Sequence, residues 1–363
     1  MIPAHTPQLS LNEAYTALFR MNKQSISQFE KELSDFLGVK YVALCASGRQ
    51  ALFHLLKYAG APSKVVMPAF TADIVADVVK YAGAKPVLAD VRSEDYALDS
   101  ENVDFAKTGS KILISVDPFG NPARLDELHD FCQDNELFFI DDAATAFGAR
   151  YKNRCVGSFA DATIFSFGLG KSLALGGLGS VATNNEGVHS FIKQRVAFSS
   201  QGLTNFVRNF VASVLTNETV YSYAGHFVKQ KRLKTQYAHL SSQLAANPSQ
   251  YLASLGIVKL RDFSLELEHR RKVSLLLRKK LSEHGFVVQK ENGKSTFNRL
   301  MFSTDYKANT ILRLKKQGVE AVSLFGGFPV ERGVCPVSDS LASRVLGIPV
   351  DARVVPLMEE LFG

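Results

Sequence analysis

No uncharged apolar run in this sequence reaches the roughly 18 residues that a membrane-spanning helix requires. The start, MIPAHTPQLSLNEAY, also lacks the basic segment and following apolar stretch of a secretory signal. A soluble, cytoplasmic protein is therefore expected. Cysteine is scarce: Cys45, Cys132, Cys155 and Cys335 lie far apart and form no CxxC pair. That spacing speaks against a disulfide scaffold or a zinc site and for reduced thiols. The 8 histidines show no convincing metal-ligand spacing, so no metal is expected. Charge of one sign is not in large excess, with 42 Lys and Arg against 35 Asp and Glu. A surplus of 7, spread along the chain, is far weaker than the clustered basic face of a nucleic-acid binder. It is compatible with a small anionic substrate. Internal repeats and low-complexity tracts are missing too.

What is present is a chain of 363 residues, 46% hydrophobic and 21% charged, long enough for two globular domains. SISQFEKELSDFLG places Ile26, Phe29, Leu33 and Phe36 on one helical stripe. A strand-like YVALCAS follows, then a helical RQALFHLLKYAG. KVVMPAF, DIVADVVKYAG, KPVLADV, KILISVD, RLDELHDFCQDN and LFFIDD continue the alternation. Continuous apolar strands separated by helices indicate an α/β domain with a mostly parallel sheet covered on both faces. Ligands in such sheets bind where strands end and loops begin. From about Asn184 the alternation lapses, and residues 190–240 read as mostly helical. A long helical pattern begins near Ser249, followed by FVVQ, RLMFST, ILRLKKQG and a closing SRVLGIPV with VPLMEELF. This predicts a large domain over 1–240, with a helical insertion at about 200–235, and a smaller α+β domain over 241–363.

The stretch ATIFSFGLGKSLALGGLGS carries one charge, Lys171, between an apolar run and a glycine cluster. Three readings compete there. A lysine in a surface turn is the commonest. GLGKS also ends like a P-loop, but that motif needs glycine where Phe165 stands. A covalent lysine is the third, because apolar surroundings lower an amine's pKa and free it to attack a carbonyl. FFIDDAATAFGAR, twenty-nine residues earlier, supplies a companion. A carboxylate at the end of a buried strand is costly unless a cation pairs with it, and a protonated pyridine nitrogen is such a cation. A helix N-cap is the plainer role for Asp141 or Asp142.

In order and spacing, these segments resemble the DegT-type sugar aminotransferases (DegT/DnrJ/StrS), pyridoxal-phosphate enzymes of the aspartate aminotransferase fold, fold type I. The likeness runs through FEKELSDFLGVKYVALCASGRQAL, VVMPAFTADIVADVVKYAGAKPVLADV, DPFGNPARLDELHDFCQDNELFFIDDAATAFGARY and VGSFADATIFSFGLGKSLALGGLGSVATN. It implies that Lys171 carries the cofactor, that Asp142 faces its pyridine nitrogen, and that Ser166, Gly48, Arg49 and Gln50 surround its phosphate. The turn at Gly48 opens a helix, whose N-terminus favours an anion independently of the family.

Several positions depart from the family pattern. Arg49 and Gln50 follow Gly48 where Gly-Thr and a small residue are usual. Ala72 occupies the place of an aromatic that stacks on the ring; nearby Phe70 is either a substitute for it or, the plainer reading, a core phenylalanine. Thr145 replaces a glutamine at the cofactor's phenolic oxygen. Gly176-Gly177-Leu178-Gly179 lacks the usual acid, and Asn247 is a loose counterpart of an asparagine reaching into the partner's site. Lysine rather than histidine at position 171 favours transamination over the dehydration of a related subgroup. The resemblance thus implies transfer of an amino group from an amino acid, glutamate in the family, to a nucleotide-linked keto-deoxysugar. Polysaccharide or secondary-metabolite sugar synthesis would use the product, and a homodimer with shared active sites is implied. Another pyridoxal-phosphate reaction on an amino-acid or acyl substrate, or a catalytically idle binding relative, are the alternatives. The stretch 202–234 joins an apolar stripe to KQKRLK, a pattern of a membrane-surface helix or of one packed on the protein.

Overall fold

Buried aliphatic runs become central strands because both faces of the sheet are covered, so neither face needs polar side chains. The computed structural model describes residues 2–3, 10–103, 109–197, 204–207, 211, 240–323, 325 and 333–362. Two helices, α1 (Leu11–Arg20) and α2 (Ser25–Leu37), precede β1 (Tyr41–Cys45), α3 (Gly48–Tyr58) and β2 (Lys64–Pro68). Then come α4 (Asp73–Tyr81), β3 (Lys85–Ala89), β4 (Ile112–Val116), α5 (Leu125–Asp134) and β5 (Phe138–Asp142). A short hairpin, β6 (Arg150–Tyr151) and β7 (Arg154–Cys155), leads to β8 (Ala162–Ser166), β9 (Gly179–Thr183) and α6 (Glu186–Lys193). After α7 (Leu240–Leu244) and α8 (Gln250–Glu283) follow β10 (Val287–Val288), β11 (Leu300–Ser303), α9 (Lys307–Lys316), α10 (Pro336–Arg344), β12 (Val345–Ile348) and α11 (Val354–Phe362).

Seven strands form the main sheet in the order β1-β9-β8-β5-β4-β2-β3. Alternate side chains feed two cores. Leu113, Phe139, Phe165 and Ala182 pack with α2 and the first half of α8. Ile114, Ile140, Ile164 and Val181 pack with α3 and α4 on the other face. The sheet is parallel except for β9, which runs against both β1 and β8. That reversal brings Gly179 between Cys45 and Ser166. A Cβ at Gly179 would lie 2.4 Å from the backbone nitrogen of Gly48, and backbone there cannot yield as a flexible side chain would. Gly179→Ala is therefore expected to lower the melting temperature, which thermal unfolding would show.

The smaller unit is built on the antiparallel sheet β10-β11-β12, with Leu277, Phe302, Leu314, Leu346 and Met358 in its core. The chain start joins it, since Ile2 N–H donates to Gly318 O at 2.6 Å. Helix α8 begins where the pattern predicts, with the Ser249 hydroxyl accepting from the Leu252 N–H. It serves both cores: Tyr251 through Leu267 enter the large one, and Val273, Leu277 and Leu281 the small one. The two cores thus share α8, whose first half packs in one and whose second half packs in the other. The 202–234 segment lies largely outside the described residues. Within it Phe206 packs on Tyr15 and Tyr251, with ring centroids 5.5 and 6.0 Å apart. Among the described residues no helix is long and apolar enough to cross a membrane.

Candidate active site

Three strand ends and one loop converge on a cavity of about 350 Å³. Strand β1 supplies the turn into α3, where Ser47 caps the helix by accepting the Gln50 N–H at 3.2 Å. Gly48, the first helical residue, approaches the end of β8 so closely that a Cβ there would sit 3.1 Å from that of Ser166. The helix N-terminus, Arg49 and the Ser166 hydroxyl therefore form one polar corner of the cavity. N–H groups at a helix start and a guanidinium favour an anion in such a corner. Arg49 also donates to Gln243 Oε1, which steers its side chain.

Strand β5 ends on two aspartates, and strand alternation sends them to opposite faces. Asp141 points into the core, accepts the Ser115 hydroxyl at 2.6 Å and is pushed up to about 7 by burial. Asp142 lines the cavity and accepts the Ala144 N–H at 3.1 Å. Burial raises its pKa and the nearby Lys171 works against that rise. Asp117, fully buried beside them, is held well above the carboxylate range by burial and by Asp141.

Lys171 projects from the loop joining β8 to β9, in a turn closed by its N–H on Gly168 O at 3.1 Å. It is half-buried and lines the cavity with Asp142. Among the described residues it makes no ion pair and no side-chain hydrogen bond. Burial pulls the amine below the usual lysine range; Asp142 opposes this, while Arg299 and Arg49 reinforce it. Arg299, buried just ahead of β11, is a neighbour that sequence reasoning missed. Its only sequence signal is an arginine directly before an apolar strand.

Other candidates stand elsewhere. Phe70 is fully buried among Tyr96, Phe119 and Phe325, at ring distances of 5.8, 6.2 and 5.2 Å, and does not line the cavity. Aromatic partners hold it there more favourably than a half-open pocket would. Gln50 is likewise not on the cavity wall. Its Oε1 accepts from Ala46 N–H at 2.8 Å, and its Nε2 donates to Leu244 O and Ala246 O at 2.7 and 2.8 Å. With both side-chain polar atoms engaged, Gln50 ties this corner to the last residue of α7 and the segment after it. Thr145 donates its only hydroxyl proton to Asp117 O at 3.0 Å, so none is left for a phenolate. Ala72 is the N-cap of α4, its carbonyl accepting the Val75 N–H at 2.9 Å, and Asn247 is exposed, outside the cavity of its own chain.

The sequence profile of the DegT/DnrJ/EryC1/StrS aminotransferase family matches residues 8–356. The chain belongs to that family. Among curated relatives, the GDP-perosamine synthase of Escherichia coli O157:H7 is 28% identical over 212 residues, covering 56% of this chain and 57% of its own. The matched region thus spans little more than half of that relative. The UDP-2-acetamido-2-deoxy-3-oxo-D-glucuronate aminotransferase of Pseudomonas aeruginosa is 24% identical over 341 residues, 90% of this chain and 85% of its own. A solved family fold, the E. coli GDP-4-keto-6-deoxy-D-mannose-3-dehydratase with hydrated PLP, superposes with a TM-score of 0.77. It shares 15% identity and covers 100% of this chain and 99% of its own, a likeness of fold alone.

Proposed function

We propose that this chain is a pyridoxal-phosphate-dependent aminotransferase that moves an amino group from an amino acid to a nucleotide-linked keto sugar. One observation carries the reading: a lysine amine with no ion pair among the described residues shares a cavity with a buried carboxylate and an anion-favouring helix start. Pyridoxal phosphate fits that donor set. Its phosphate suits the corner of Gly48, Arg49 and Ser166, its ring nitrogen the Asp142 carboxylate, and its aldehyde the Lys171 amine. When bound, the cofactor supplies the electron sink for the carbanion chemistry of transamination.

The residues of the chain do the rest. Burial and two neighbouring guanidiniums keep Lys171 neutral more readily than an exposed lysine, as attack on a carbonyl requires. With the cofactor held there, the Lys171 nitrogen, freed by the incoming donor amine, would take the proton from the donor's α-carbon as a base and later give it up as an acid. Asp142 would balance a positive charge at the ring nitrogen of the bound cofactor. Leu52, Val75 and Val78 form an aliphatic wall that limits water at the reacting atoms. Arg49 adds a full charge where the helix start offers only a partial one.

The oxo-sugar named in the Pseudomonas relative's description supports a nucleotide-linked keto sugar as acceptor. Glutamate is the proposed donor. We take the working form to be a cytoplasmic homodimer, in which the exposed Asn247 reaches the partner's cavity. Incubating the protein with glutamate, pyridoxal phosphate and a panel of UDP-, GDP- and TDP-linked keto sugars tests this. Formation of 2-oxoglutarate together with an amino-sugar nucleotide is expected. Cofactor binding without turnover on any sugar of the panel would move the chain to another pyridoxal-phosphate reaction. The engagement of Phe70 and Thr145 elsewhere favours a second reading, an idle relative kept for binding. That protein would stay colourless with added cofactor.

A further inference from the structure

The loop that carries Lys171 is rich in glycine, with Gly168, Gly170, Gly176, Gly177 and Gly179 around it. Such a backbone has much freedom to lose, so something must hold the lysine in one direction. The loop's own hydrogen bonds fix its ends. Phe167 N–H donates to Leu178 O at 3.0 Å, and Leu175 N–H to Phe167 O at 2.9 Å. Around the lysine further partners come from outside the loop. Asn298, in the segment leading to β11, donates its Nδ2 to Gly170 O at 2.8 Å. One residue past the lysine, the Ser172 hydroxyl donates to Thr145 O at 2.7 Å, and Ser172 O accepts from Arg270 at 3.3 Å.

The peptide plane between Gly170 and Lys171 is thus gripped at both edges, its N–H by Gly168 O and its C=O by the Asn298 amide. Displacement of that plane would carry the Cα of Lys171 with it, and so move the root of its side chain. From this geometry we infer that Asn298 is a positioning residue for Lys171, aiming its amine from the small domain through the Gly170 carbonyl. Arg270 supports the far side of the loop by donating also to Thr296 O at 3.4 Å, so that the same strap of residues is braced. Thr296 in turn donates to Thr145 O at 2.9 Å, and its N–H to Gly120 O at 3.0 Å. The inference rests on the reading of Lys171 as the reactive amine.

Because the partner is a carbonyl, only the NH₂ end of the amide serves. Asn298→Asp keeps the shape, removes the donor and sets a carboxylate against a carbonyl; Asn298→Ala removes the group more gently. Two measurements read the effect. In cofactor-free protein, the rate of Lys171 modification by trinitrobenzenesulfonate is followed against pH by peptide mass spectrometry. With pyridoxal phosphate added, the growth of the visible band and the kcat and KM for the sugar are followed. Wild-type protein is expected to show a pH midpoint below that of an exposed lysine. Asn298→Asp is expected to shift that midpoint and to slow band formation and kcat by about 10-fold or more, with KM nearly unchanged, as small misplacements of a reacting atom do. Asn298→Ala should show a smaller change in the same direction. If both variants match wild type in midpoint, band and kcat, the positioning role is wrong. It is equally wrong if the loss only follows a fall in melting temperature with the midpoint unmoved. An ordinary lysine midpoint and no band in the wild type would instead sink the reading of Lys171 itself.

Discussion

Replacing Lys171 with alanine is expected to abolish the visible band of the bound cofactor and to lower turnover by at least about 10⁴-fold. Losing a general acid–base group alone costs about 10²–10⁴-fold, and here the covalent attachment disappears with it. Lys171→Arg sharpens the test. Arginine keeps the positive charge near Asp142 but is neither nucleophilic nor able to shuttle a proton. An electrostatic role for Lys171 would let the arginine variant retain activity; a covalent role would leave it as inactive as alanine. A band that persists in Lys171→Ala would overturn the assignment, whatever the activity. Absorbance spectra and steady-state rates of the purified variants decide it.

The second large effect separates two neighbours in the sequence. Asp142→Asn is expected to reduce turnover by about 10²–10³-fold, the range for removing one pre-organised electrostatic contact. Asp141→Asn, one residue earlier, should leave kcat close to wild type, because that side chain faces the core and not the cavity. The two also differ in stability. Asp141 has a folded pKa raised to about 7, so the native state keeps its proton above the unfolded carboxylate value of about 3.9. Its contribution to stability therefore falls as pH rises from roughly 4 to about 7, when the unfolded chain has already ionised. An amide has no proton to lose. Asp141→Asn should flatten that decline and melt higher than wild type near neutral pH, as thermal unfolding across this window would show. A large loss of turnover in Asp141→Asn with Asp142→Asn active would reverse the assignment of the pair.

Why one aspartate and not the other was partly legible before any coordinates. Ile140 and Asp142 share a strand face, as do Phe139 and Asp141, and period-two alternation tells the faces apart. The alternation could not say which face carried the cavity; that required the order of seven strands. The long pattern from Ser249 appeared as one helix because its cap and apolar stripe are local signals. Its double membership in two cores was invisible, since core membership depends on partners remote in the chain. Gln50 shows the same limit. Its position beside Gly48 suggested a ligand, but its amide is occupied by carbonyls of Leu244 and Ala246, almost two hundred residues away. The reversed strand β9 escaped notice because the residue types of a short strand such as GSVAT do not encode its direction in the sheet. Lys171 was found because a lone charge in an apolar, glycine-rich run is costly without a purpose. Asn298 and Arg299 were not, because polar residues before a strand are ordinary.

Helix α8 and the strap after β10 have a consequence for how this protein can change. Recombining halves of two homologues at residue 240 would look natural in an alignment. The hybrid would nevertheless seat Lys171 on foreign supports, because Asn298, Arg270 and Thr296 belong to the second parent and the loop they hold belongs to the first. Exchanges that preserve function should instead carry those three positions along with the β8–β9 loop as a single inherited block, wherever the crossover falls.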